Sequence, residues 1–64
     1  MKTGIVKFFK SESGWGFITA DNNEGEFFVH CHGCNEPISE GQHVQFDTEK
    51  HPKGTRATNV SRIP

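Results

Sequence analysis

The chain has 64 residues, seven Lys and Arg against eight Asp and Glu, a formal net charge of −1 and only 31% hydrophobic residues. That length allows one domain, read as residues 1–64, and a fold so small buries only about 60% of its unfolded-chain surface. Near-zero net charge excludes a bulk polyelectrolyte binder, and no apolar run is long enough to span a bilayer.

No signal-peptide pattern follows Met1, so the expectation is a soluble cytoplasmic protein with Cys31 and Cys34 as reduced thiols. The charges are unevenly spread. Every Lys and Arg lies in residues 1–10 or 50–64, while residues 11–49 carry all eight acids. Two basic ends that paired in space would form one basic patch.

No window carries apolar residues at i, i+3, i+4 and i+7 for long enough to predict a helix. Short β-branched and aromatic runs between turn clusters predict an all-β chain. The first strand is Lys2–Lys10, closed by Ser11–Gly14, and the second is Trp15–Ala20. Asp21-Asn22-Asn23-Glu24-Gly25 follows, a run that tolerates left-handed backbone, and then a third strand at Glu26–Cys31. The connection from His32 to Gln42 contains Pro37, which argues against a strand, and has room for a turn of helix or 3₁₀. The fourth strand is His43–Glu49. His51-Pro52-Lys53-Gly54 suits a type I turn within the break Lys50–Gly54, and the last strand is Thr55–Arg62. Five short strands fit a small antiparallel barrel, because closure removes most exposed edges.

Strand side chains alternate between faces. Ile18 and Val29, with Phe27, belong to an inner face that Val44, Phe46 and Val60 complete. Trp15, Phe17, Phe28 and His30 then share the other face, with Lys7 and Lys10 at its border. An inward Phe28 would carry His30 inward too, burying a polar ring that needs a partner. Aromatic rings and His beside cations make a stacking platform for single-stranded nucleic acid.

Three segments carry a family resemblance: Gly4-Ile5-Val6-Lys7-Phe8-Phe9, Ser13-Gly14-Trp15-Gly16-Phe17-Ile18 and Phe27-Phe28-Val29-His30. They resemble the first three strands of the cold-shock domain, the latter two its ribonucleoprotein motifs. Glu40–Phe46 and Lys53–Val60 are similar to its last two strands. The resemblance implies a five-stranded OB-fold barrel that binds single-stranded RNA and DNA, has no enzyme activity and often serves as an RNA chaperone. It puts Lys7, Phe8, Trp15, Phe17, Phe28 and His30 on nucleic-acid-contacting positions, with Phe9 at the margin. Phe8 stands where the family usually has Trp, and Trp15 where it usually has Phe. Cys31 replaces an aromatic, Ser13 a common Lys and Lys10 a common Asn. The connection after Cys31 is shorter than the family's by about four residues and lacks its exposed aromatic. Two absent stacking partners, at about 1–3 kcal/mol each, are expected to weaken binding.

His30-Cys31-His32-Gly33-Cys34 contains half of a zinc motif, but the other half is missing and neighbouring strand residues point to opposite faces. No metal and no cofactor are therefore expected. No Ser/His/Asp set, paired carboxylates or phosphate loop suggests catalysis. The sequence thus predicts a non-enzymatic binder of single-stranded, pyrimidine-rich RNA or DNA. Bases would stack on Trp15, Phe17, Phe28 and His30, with Phe8 extending the platform, and Lys7, Lys10 and Arg56 would meet phosphates. An RNA chaperone or a regulator of transcription or translation is the expected role. The alternative is an OB-like protein-interaction module with weakened nucleic-acid binding. A monomer is expected ahead of a strand-exchanged dimer, and no membrane partner.

Overall fold

The computed structural model describes residues 1–52 and 54–64. Five strands, β1 Lys2–Lys10, β2 Trp15–Ala20, β3 Glu26–His30, β4 His43–His51 and β5 Gly54–Arg62, close into one barrel in the order β1-β2-β3-β5-β4. Neighbours are antiparallel except β3 and β5, which run parallel through Phe28↔Arg56 and Val29↔Ala57. This is the all-β, five-stranded OB-type barrel expected. The strand ends differ by one or two residues: β3 stops at His30, β4 runs on to His51 and β5 begins at Gly54. The type I turn expected at His51–Gly54 includes Lys53, which lies outside the described residues.

Local chemistry sets the turns. The backbone N–H groups of Ser13 and Gly14 both donate to the Lys10 carbonyl, at 3.1 and 2.7 Å, turning β1 into β2. Asn22 and Asn23, at φ 62° and 58°, carry the chain through a 3₁₀ turn at Asp21–Asn23, using the left-handed backbone that Asn tolerates. A second 3₁₀ turn, Cys31–Gly33, opens the long connection. That connection is tied down. Asn35 N–H donates to Val60 O at 2.8 Å, and Gly41 N–H to Val6 O at 2.8 Å.

The core comprises Val6, Ile18, Ala20, Phe27, Val29, Ile38, Val44, Phe46, Ala57 and Val60. All six residues assigned inward by alternation are among them, and the Phe27 and Phe46 rings meet at 5.6 Å. Ile38, alone in a polar loop, is the addition that alternation could not reveal. Its side chain is buried with the rest, so the connection contributes a core residue as well as a link.

Candidate nucleic-acid interface

β1 is irregular where the platform begins. Its register with β2 runs Val6↔Ile18 and then Phe8↔Phe17, so one extra residue is accommodated on β1 between them. Such a bulge shifts the alternation by one residue. Strict alternation would have sent Phe8 inward with Val6; instead Lys7 is exposed and Phe8 faces out beside Phe17. Phe9 then faces in, opposite Gly16. A Cβ at Gly16 would collide with the Phe8 carbonyl oxygen and lie 2.8 Å from Phe9 Cα, so glycine is what allows β1 so close. Phe9 packs against the core and does not join the ring cluster, unlike Phe8, Trp15, Phe17 and Phe28.

Register arranges the outer side chains in two rows across the sheet. Phe8, Phe17 and Phe28 are paired partners in one, which continues to Arg56 on β5. Lys10, Trp15 and His30 form the other. Phe8, Trp15, Phe17 and Phe28 make one half-buried cluster. Phe8 lies 5.7 Å from both Trp15 and Phe17, Phe28 lies 6.1 Å from Trp15 and 5.9 Å from Phe17, and Trp15 lies 6.2 Å from Phe17. Edge-on and tilted pairs dominate, the arrangement ring quadrupoles favour, while Trp15 and Phe28 are inclined by only 21°. Lys10 Nζ stands 5.3 Å from the Trp15 ring centroid, within cation–π range.

Among the described residues the cations do not gather into one patch. β1 and β5 lie on opposite sides of β4, and their charges meet carboxylates. Lys2 pairs with Glu24 at 2.7 Å, Lys7 with Glu26 at 2.9 Å, Arg56 with Glu49 at 3.5 Å and Arg62 with Glu36 at 2.9 Å. Antiparallel pairing interleaves the acidic middle of the sequence with its basic ends. Of the three expected phosphate contacts, Lys7 and Arg56 are thus engaged by acids, and Lys10 is the one held by the platform itself.

Beyond His30 the strand does not continue. Cys31 enters the 3₁₀ turn, so Cys31 Sγ lies 3.7 Å from His30 Nδ1, not on the opposite face as a continued strand would require. His32 N–H donates to His30 Nδ1 at 3.2 Å, and the two imidazole centroids are 4.8 Å apart. His30, His32, Asn35 and Arg56 border a groove that flanks the platform.

Among the described residues no helix is long and apolar enough to cross a membrane. The family profile described as the 'Cold-shock' DNA-binding domain matches residues 2–63. The chain is 44% identical to the cold shock-like protein CspG of Shewanella violacea over 62 residues, 91% of this chain and 89% of that protein. It is 41% identical to the cold shock-like protein CspA of Stigmatella aurantiaca over 68 aligned positions, covering all of both chains. The major cold shock protein of Micrococcus luteus is 36% identical over 67 positions, 98% of this chain and all of that protein. Barrel, aromatic rows and relatives agree: the chain belongs to the cold-shock domain family, non-enzymatic proteins that bind single-stranded nucleic acid.

Proposed function

We propose that this chain binds single-stranded RNA, and DNA of like sequence, with bases stacked on Phe8, Trp15, Phe17, Phe28 and His30. Lys7, Lys10 and Arg56 meet the phosphates. One observation carries the reading. The barrel fills its core with ten other side chains, yet keeps five rings on the outer faces of β1, β2 and β3 in matched register. Rings not required for the core offer π-faces to any exposed base. Duplexes hide theirs, so the preference is for unpaired strands. In the cytoplasm such a binder acts as an RNA chaperone or as a regulator of transcription or translation, by holding strands open.

Fluorescence anisotropy with a pyrimidine-rich strand of about 6–7 nucleotides and with its duplex tests this. The single strand is expected to bind at least about tenfold more tightly, a difference of about 1.4 kcal/mol. Equal affinities would remove the stacking argument. The carboxylates beside Lys7 and Arg56 favour the alternative of a protein-interaction module. Lack of measurable binding to either nucleic acid would select it.

A further inference from the structure

The turn that ends β3 brings three consecutive side chains to one side. One donor atom from each of His30, Cys31 and His32 can be chosen so that all lie within 4.8 Å of one another. An ion with metal–nitrogen bonds of about 2.0–2.1 Å, a metal–sulfur bond of about 2.3 Å and tetrahedral angles holds its N and S donors about 3.6 Å apart. His30 Nδ1 and Cys31 Sγ, at 3.7 Å, already span such an edge. The cysteine is fixed by the fold, since its N–H donates to Gly14 O at 2.8 Å across the β1–β2 turn. His32 is exposed, and rotation about its side-chain bonds closes the remaining distance, while an ion on His30 Nδ1 takes the lone pair that now accepts from the His32 backbone N–H.

Cys34 lies outside this group. It is half-buried against the core, and its Sγ donates to His30 O at 3.5 Å. The site is therefore not the Cys-x₂-Cys half-motif that the sequence suggests. We propose that His30, Cys31 and His32 form a three-ligand site for a thiophilic d¹⁰ ion of the Zn²⁺ type, with its fourth position open to water or another ligand. His30 also belongs to the Trp15 row of the aromatic face. An ion on that imidazole withdraws it from stacking, so metal and nucleic acid compete. This competition rests on the proposed nucleic-acid reading; metal binding itself does not.

Co²⁺, a spectroscopic substitute for Zn²⁺, is titrated into the reduced 64-residue protein without nucleic acid. A thiolate-to-cobalt charge-transfer absorption should grow to one equivalent and disappear when Zn²⁺ is added. Cys31→Ser should abolish it, His32→Ala should weaken Co²⁺ binding by about tenfold or more, and Cys34→Ser should leave it unchanged. Circular dichroism of each variant separates loss of the site from loss of the fold. Absence of the band in the wild type, its persistence in Cys31→Ser or its loss in folded Cys34→Ser would overturn the site. A second titration in saturating heptathymidine should show weaker metal binding. If the oligonucleotide binds and metal affinity is unmoved, the competition is wrong; if the oligonucleotide does not bind at all, the nucleic-acid reading has failed and the metal site is judged by the first titration.

Discussion

Replacing Phe28 and Val29 in turn separates the two faces of β3. Phe28 makes two ring contacts, with Trp15 at 6.1 Å and Phe17 at 5.9 Å. Each such pair adds about 0.5–1.5 kcal/mol, so with partial solvent exposure Phe28→Ala should lower folding stability by about 1–2 kcal/mol. Its effect on binding is larger, about 1–3 kcal/mol or roughly 5- to 150-fold, because a stacking surface disappears. Val29 is fully buried. Truncation to Ala removes two carbons, about 1.5 kcal/mol of transfer free energy, and the residual cavity raises the cost to about 1.5–3 kcal/mol. A domain of this size has only about 3–10 kcal/mol in total, so the assay belongs at low temperature where the variant stays folded. Urea midpoints and oligonucleotide affinities for both variants give the comparison. Phe28→Ala should lose mainly affinity, and folded Val29→Ala should bind as the wild type does. Affinity within about twofold of wild type in folded Phe28→Ala would refute the stacking argument.

Glu26→Gln releases Lys7 from its 2.9 Å partner and should raise affinity about two- to fivefold at low salt, an exposed pair being worth up to about 1 kcal/mol, with the gain fading as salt rises. The log–log salt slope of the wild type should be near −2, from three phosphate contacts at about −0.7 each, and a slope steeper than about −4 would mean that charge dominates over stacking. Acid should destabilise the protein in a defined window. The Thr3 hydroxyl and then His43 hold the Asp21 carboxyl below its usual range, and the Arg62 side chain and backbone do the same for Glu36. Depressed carboxyl pKa values stabilise the fold above the unfolded-state values near pH 4, and that contribution is lost as pH falls through the lower folded values. The urea midpoint should therefore drop below about pH 4, less steeply in Glu36→Gln; identical acid profiles for the two proteins would contradict this.

Much of the barrel was legible because β2 and β3 alternate cleanly and the turns are written in Asn, Asp, Gly and Pro. Trp15, Phe17, Phe28 and His30 could be assigned to one face by alternation alone, and the structure brings them into paired register. Phe8 could not. Its outward position depends on the β1 bulge, so only the family resemblance anticipated it, while Phe9 turned inward for the same reason. Alternation carries β3 on to Cys31 because its β-compatible neighbours mask the 3₁₀ turn, and a strand there hides the closeness of its thiol to His30. The ion pairs were the least accessible feature. Lys7 and Glu26 are nineteen positions apart and meet only through strand register, which no local pattern encodes. Among the described residues a segregated charge sequence thus folds into an interleaved charge surface, with Lys2, Lys7, Arg56 and Arg62 each beside a carboxylate.

Trp15 is both a central ring of the platform and the chain's single tryptophan, so its emission reports directly on whether bases stack there. Titration of the reduced, metal-free protein with heptathymidine should quench that emission saturably at one strand per protein, and the quenching should persist at moderate salt because stacking, unlike phosphate contact, is little screened. Binding detected by anisotropy with Trp15 emission unchanged would contradict the account.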